Sequence, residues 1–220
     1  MKTRLDEQTI ALRVAGEFED GMVINLGYGM PGLCAGFIPE GRTVYFHSEN
    51  GVLGYGGLGT DEEKDYELIN ASDQPVTRLP GMCFFDSATS FDMIRGGHVD
   101  LVVLGAYQVS QKGDLANWGR PGRPATGMGG GMDLAAGCER VIVMMLHTTK
   151  EGAPRIVKQC SFPLTAKECV RRIFTDVAVM DVTEGGLVLR EVAPGWTAEE
   201  VKALTEAPLI VADDLKEIEL

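Results

Sequence analysis

Residues 99–105 read VDLVVLG and residues 140–146 read RVIVMML. Both are short, rich in β-branched and aliphatic side chains, and do not alternate apolar with polar positions. Continuous apolar runs of this length suit strands that are covered on both faces. The same pattern recurs towards the N-terminus in MVINL (22–26) and TVYFH (43–47), and towards the C-terminus in VAVMDV (177–182), GLVLREV (186–192) and PLIVA (208–212). Helical signals lie between and around them. Leu5, Ile10, Leu12, Val14, Ala15 and Phe18 recur among charges from Arg4 to Asp20, which predicts an amphipathic opening helix ended by Gly21. Asp86 is placed to cap a helix through SATSFDMIRGG, and Thr165 with Glu168 and Thr197 with Glu200 each form a capping-box pair. The alternation predicts an α/β fold with an open, largely parallel sheet flanked by helices. No repeat, low-complexity tract or Pro/Ser-rich linker divides the chain, so residues 1–220 are expected to form one domain.

A chain of 220 residues, 45% hydrophobic, can bury a real core: folding at this size hides roughly 70–75% of the unfolded surface. The five cysteines (Cys34, Cys83, Cys138, Cys160, Cys169) are odd in number, scattered, and form no C-x-x-C, which indicates neither a disulfide framework nor a zinc site. No apolar run follows MKTRLDEQ, and the longest apolar stretches fall far short of the roughly 20 residues that cross a bilayer. A cytoplasmic location without membrane contact is the expectation. The formal net charge of −12 repels phosphate backbones, so nucleic acid is not an expected partner. An anionic small substrate would need a locally positive or amide-lined site.

The pattern G-x-G-x-x-G occurs twice, as GYGMPG (Gly27, Gly29, Gly32) and as GYGGLG (Gly54, Gly56, Gly59). The first follows a predicted strand, and Glu49 stands beyond the next one, where a dinucleotide fold keeps its ribose-binding acid. NAD-dependent oxidoreduction is therefore one reading of this loop. Against it, few residues separate Gly32 from Thr43 and they include Pro39 and Gly41, which leaves little room for a crossover helix. The second match runs into the acidic TDEEKDYE, which would oppose a pyrophosphate.

Glu49 sits in HSENGVLG (47–54), on a turn after a strand. Such a position projects a side chain into the crevice at the carboxyl edge of an open α/β sheet. Glycines close behind it let a substrate approach the backbone. A carboxylate there can be a general base, a metal ligand, a nucleophile, or simply a solvated turn acid. His47, His98 and His147 are spread out and no second acid stands at ligand spacing, so no metal is expected. A glycosidase would need a partner acid that Glu49 lacks.

The segments NLGYGMP, SENGVLG, IRGGHVDLVVLGAYQVSQKGDLANW, GMGGGMDLAAG and PLTAKECV occur in this order over nearly the whole chain. Together they resemble the β subunit of the family I, 3-oxoacid-type CoA-transferases. The resemblance implies that the glutamate of S-E-N-G, here Glu49, attacks an acyl-CoA to give a glutamyl-CoA thioester in a ping-pong transfer. It implies no permanently bound cofactor, with coenzyme A as substrate. It assigns Asn25 to the reacting carboxyl group, Asn50 and Gly51 to the substrate and CoA side, and the backbone of Gly130 and Gly131 to the thioester. It also implies a separate α subunit in an αβ or α2β2 assembly, because the glycine-rich G-G-F-G motif of the α half is absent. A CoA-binding subunit with an inert Glu49 is the non-enzymatic alternative.

Two departures stand out. Gly131 replaces the alanine of the usual GMGGAMD, which preserves a backbone contact. The usual NAGK reads NASD here, placing Asp73 where the family has lysine, so no dicarboxylate acceptor is inferred from that position. Short-chain acids or 3-oxoacids are the implied substrates, with acetate, butyrate, succinate or 3-oxoadipate as exchange partners; LTEAPLIVADDL leans towards the acetoacetate group. Trp118 is read as a substrate-side or packed-corner residue, His98 as a structural hydrogen-bonder, and Met144 and Met145 as core fillers.

Overall fold

The computed structural model describes residues 2–60, 62, 64–122 and 127–219. In chain order, its first half contains α1 (Glu7–Ala15), β1 (Val23–Leu26), a 3-10 helix (Met30–Gly36), β2 (Tyr45–Ser48), β3 (Val52–Tyr55), β4 (Cys83–Phe84), α2 (Ser87–Arg95) and β5 (Leu101–Leu104). There follow β6 (Gln108–Ser110), β7 (Leu115–Ala116), α3 (Gly131–Gly137), β8 (Val141–Met144), β9 (Ile156–Val157) and β10 (Val170–Phe174). The chain closes with β11 (Ala178–Thr183), β12 (Gly186–Val192), α4 (Ala198–Leu204) and β13 (Leu209–Glu217).

Ten strands form one sheet in the order β13-β12-β11-β10-β8-β5-β1-β2-β3-β4. Strands β8, β5, β1 and β2 are parallel to one another, as the apolar runs predict, and β10, which no apolar run announces, joins β8 in the same direction. The margins differ: β2-β3-β4 on one side and β10-β11-β12 on the other are joined antiparallel. The β2–β3, β10–β11 and β11–β12 connections are short hairpins, whereas β4 pairs with β3 only after the long excursion of residues 56–82. A second, three-stranded sheet has the order β7-β6-β9.

Neighbouring side chains along the central strands enter opposite cores. Leu101 and Val103 pack with Ile24, Phe46, Ile142 and Met144 under Ile10 and Val14 of α1. Val102 and Leu104 pack with Val141 and Val143 under Ile94 of α2 and Leu134 of α3. Each such side chain contributes about 1.5–3 kcal/mol on burial, which is why these strands carry no polar alternation.

Caps explain most helix limits. Asp6 accepts from the Thr9 N–H and Asp86 from the Thr89 N–H, while Thr197 and Glu200 form a reciprocal capping box. The opening helix is shorter than its periodicity predicts. It ends at Ala15 with Gly16 as C-cap, and tight turns over Glu17 and Phe18 carry Phe18 into the core without helical backbone. The Thr165–Glu168 pair caps no helix. Thr165 Oγ1 instead donates to Asn117 Oδ1 at 2.6 Å, the Glu168 N–H goes to Asp114 Oδ1, and Glu168 adopts φ +51°. These side chains brace the small sheet, so a tertiary partner has taken over a local capping signal.

Candidate active site

Parallel strands β8, β5, β1 and β2 end on one side of the sheet, and there a cavity of about 790 Å³ opens, lined among others by Gly27, Glu49, Gly105, Gly130, Met145 and Arg155. This is the crevice in which open α/β sheets bind ligands. Glu49, Asn50 and Gly51 form the loop of the β2–β3 hairpin, with the Gly51 N–H bonded to Ser48 O at 3.0 Å.

Each residue of HSENG does a different job. His47 and Ser48 are buried, Glu49 is half-buried, and Asn50 is exposed. Glu49 Oε2 accepts from Asn25 Nδ2 at 3.1 Å, across the pairing that sets Asn25 beside His47 in register. The same amide nitrogen lies 3.1 Å from His47 Nδ1, which must then accept, leaving the proton on Nε2 to donate to Ser90 Oγ at 3.1 Å. Ser90 in turn donates to Ser48 O at 3.4 Å. Burial pushes the His47 pKa down to about 4, so the ring is neutral at pH 7 and the chain of donors is fixed. Asn25 Oδ1 is buried with no hydrogen-bond partner among the described residues. Turning the amide over would satisfy His47 only by setting Oδ1 against the Glu49 carboxylate. The orphaned oxygen is the cost of aiming Nδ2 at Glu49.

Ser48 Oγ accepts from the Ala71 N–H at 2.8 Å, which fastens the NASD loop to the rim; Ala71 and Ser72 line the cavity, while Asp73 is exposed at φ +57°. Asn50 donates to Ile69 O at 2.7 Å, bracing the same loop, and neither Asn50 nor Gly51 lines the cavity. Gly51 is required by its φ of +110° and by Phe85 O, which a Cβ would meet at 2.0 Å.

Gly130 and Gly131 both line the cavity but are not equivalent. A Cβ on Gly130 would lie 3.0 Å from Glu49 Cγ, 3.2 Å from Glu49 Oε1 and 3.3 Å from Phe91 Cζ. One on Gly131 would meet nothing nearer than Thr165 Cγ2 at 3.6 Å, and the Gly131 N–H is already bonded to Met128 O. The alanine usual at position 131 would therefore fit, whereas Gly130 is the glycine pressed onto the carboxylate. Of the glycine-rich loop that precedes them, residues 123–126 lie outside the described residues.

The first glycine fingerprint has other reasons for its glycines. The Gly27 N–H bonds to Val103 O at 2.8 Å, a Cβ there would meet Leu104 Cδ2 at 3.0 Å, and Gly29 turns the chain at φ +83°. The connection to β2 carries a 3-10 helix of seven residues rather than a crossover α-helix. Among the other candidates, Trp118 Nε1 donates to Leu164 O at 3.2 Å, His98 is exposed, and Met144 and Met145 are buried. His47, Ser90 and Arg155 are site residues that sequence reasoning misses. Spacing offers His47 only as a metal ligand, and nothing in a lone helical serine announces a buried hydrogen bond.

Fold and site together define an α/β protein that holds one glutamate, backed by buried polar side chains, at the carboxyl edge of a parallel sheet. Residues 7–204 match the family model described as coenzyme A transferase, and the chain belongs to that family. The human protein named succinyl-CoA:3-ketoacid coenzyme A transferase 2, mitochondrial, is 51% identical over 209 residues, covering 94% of this chain and 40% of that protein. The chain thus spans less than half of that relative. A Bacillus subtilis protein, named as one subunit of a probable succinyl-CoA:3-ketoacid coenzyme A transferase, is 47% identical over 203 residues, 92% of this chain and 94% of the relative. The fold matches the crystal structure of an acyl-CoA transferase from Escherichia coli O157:H7 with a TM-score of 0.76 at 21% identity, over 98% of this chain and 44% of that one.

Proposed function

We propose that this chain is the β half of a CoA-transferase that moves CoA between short-chain carboxylic acids or 3-oxoacids, with Glu49 as the covalent nucleophile. The observation that carries the reading is the placement of Glu49: its carboxylate enters the crevice between the Asn25 amide and the backbone of Gly130. Relatives named for succinyl-CoA and 3-ketoacids support the substrate class.

A Glu49 oxygen attacks the thioester carbonyl, the C–S bond breaks, and a mixed anhydride and the CoA thiolate result. The thiolate attacks the glutamyl carbonyl, releasing the first acid and leaving a glutamyl thioester. A second carboxylate attacks that thioester to regenerate anhydride and thiolate. The thiolate then takes the new acyl group and Glu49 returns as carboxylate. Each step conserves the acyl-type bond, so neither ATP nor a metal is needed. Asn25 Nδ2 is placed to donate to the oxygen that gains charge when the glutamyl carbonyl is attacked. Both intermediates hydrolyse in water, so the crevice has to close during turnover. Tyr28, 77% exposed on its rim, is a surface for the predicted α subunit to cover in an αβ or α2β2 assembly. No permanently bound cofactor is required.

The test is intact mass after incubating the co-purified complex with acetoacetyl-CoA. A CoA adduct that disappears in Glu49→Ala is expected; an adduct that persists in the variant sinks the assignment, and its absence from the wild-type complex favours an inert CoA-binding subunit. Full turnover by this chain alone would remove the α subunit from the proposal.

A further inference from the structure

The crevice has a second end, opposite Glu49. Arg155 lines it, with its N–H bonded to His147 O just beyond β8. Tyr107, in the connection from β5 to β6, lines the same end, and the Arg120 guanidinium lies 4.7 Å from the Tyr107 ring centroid. Arg120 and Arg155 are unlike the other described arginines. Arg4, Arg13, Arg78, Arg95, Arg140, Arg172 and Arg190 are ion-paired, and Arg42 and Arg171 donate to carbonyl oxygens. Among the described residues, neither Arg120 nor Arg155 reaches an acid or a carbonyl.

Arg155 is half-buried, and a half-buried guanidinium without a partner costs free energy. Burial and the nearby Arg120 charge pull its pKa down, against the attraction of Asp176 and Tyr107. Asp176 is committed elsewhere, to Arg4 at 2.8 Å and to the His147 N–H at 2.7 Å. Glu7, on the same lining, makes no ion pair with either arginine. In a chain of net charge −12, an unpaired arginine on the cavity lining, with a second unpaired arginine beside it on Tyr107, makes a local site for an anion.

Reach decides which anion. Glu49 follows β2 and Arg155 lies beyond β8, three strand steps away in the order β8-β5-β1-β2. At about 4.8 Å per step β2 and β8 stand roughly 14 Å apart, which sets the scale of the crevice between Glu49 and the Arg155 end. At about 1.3 Å per bond, the two carboxyl carbons of a four-carbon diacid are only about 4 Å apart. The roughly thirteen bonds from the CoA sulfur to its first phosphorus reach about 17 Å when extended. Resting on Glu49 as the point of thioester attachment, we propose that Arg155 and Arg120 form the subsite for the phosphate groups of CoA, with the pantetheine arm lying along the strand ends between them. The far carboxylate of a short diacid is the other source of an oxyanion, and it does not span the crevice.

Steady-state kinetics of the co-purified complex test this with Arg155→Met and Arg120→Met, each compared with its lysine variant. Expected in the methionine variants is a KM for acetoacetyl-CoA raised at least 10-fold with kcat within about two-fold, partial recovery with lysine, and unchanged turnover of acetoacetyl-pantetheine, which carries no phosphate. A loss confined to succinate over acetate moves the site to the acid and overturns the assignment. An equal loss for the CoA and pantetheine esters, or no loss, also overturns it. A wild-type complex that forms no CoA adduct on Glu49 fails the transferase reading itself, whereas an adduct with normal KM in the variants fails only the phosphate subsite.

Discussion

Gly130 is pressed onto Glu49: a methyl on its α-carbon would lie 3.0 Å from Glu49 Cγ and 3.2 Å from Oε1, closer than ordinary van der Waals contact. Gly130→Ala must therefore displace the carboxylate or the loop. A shift of a few tenths of an ångström relieves the contact; since about 1 Å at a reacting group can cost about 100-fold in rate, a smaller fall in kcat, about 10-fold, is expected. Gly131→Ala, with its nearest neighbour at 3.6 Å, should keep full activity and raise stability by about 0.5–1 kcal/mol, because alanine is the better helix former. Parallel kinetics and urea melts of the two variants decide it; equal activities would remove the contact from the mechanism.

Asn25 holds Glu49 Oε2, and His47 holds Asn25. Asn25→Ala should lower kcat about 100-fold with little change in KM for acyl-CoA, since a donor to a developing oxyanion acts mainly in the transition state. Ser90→Ala leaves the buried His47 Nε2–H without its acceptor and should cost about 1–3 kcal/mol of stability, read from chemical denaturation. Wild-type kcat in Asn25→Ala would detach this amide from catalysis.

His47 and His147 are both buried and neutral, with pKa values pushed down to about 4. In the unfolded chain each titrates near 6.5. Above that pH neither state binds the proton, so the histidines add no pH dependence. Below it the unfolded state takes up protons that the native state refuses, and stability falls as the pH drops towards 4. Each histidine contributes up to about 1.4 kcal/mol per pH unit of that window. Urea unfolding between pH 6.5 and 5, where carboxylates stay ionised, should show this slope in the wild type and a shallower one in His47→Gln. A flat wild-type profile would contradict the buried neutral pair.

Gly51 combines a φ of +110° with Phe85 O at 2.0 Å from any Cβ. Gly51→Ala should cost more than about 2 kcal/mol and disturb the hairpin that carries Glu49, lowering both the denaturation midpoint and activity. A variant with an unchanged midpoint would show that the turn relaxes freely.

All five thiols are free, but only Cys83 is exposed. Burial pushes the Cys34 thiol up to about 12 and the Cys160 and Cys169 thiols up to about 11, and it raises Cys138 as well. A thiol-specific reagent at pH 8 should modify one cysteine rapidly in the native protein and five after denaturation. Cys83→Ser should abolish the rapid phase.

The central sheet was legible because residues 99–105 and 140–146 are covered on both faces, and coverage leaves a continuous apolar signature. The margins were not. VRRIF in β10 breaks its apolar run with two adjacent arginines, and Arg172 is explained only by Glu17 and Asp181, which are distant or across a hairpin. The Thr165–Glu168 signal is locally identical to that of Thr197–Glu200, and only the presence of Asn117 and Asp114 opposite tells the two apart. At the site, Glu49, Asn25 and Gly130 could be named from motifs. The roles of His47, Ser90 and Arg155 depend on pairing between remote segments, which no spacing encodes.

Asn25 on β1 is flanked by His47 of β2 and Val102 of β5, and β5 is flanked in turn by β8. The strand that follows β1 on one side thus arrives only after a long stretch of chain. Pairings of such wide sequence separation form late and slowly, because loop closure has to precede any contact that rewards it. The crevice consequently has no partial version. A nascent chain that has completed the β2–β3 hairpin presents Glu49 as an ordinary solvated acid, and the residue becomes special only when β5 and β8 have been made and inserted. Order of synthesis itself leaves the carboxylate without its crevice until the chain has been made past β8, which ends at Met144.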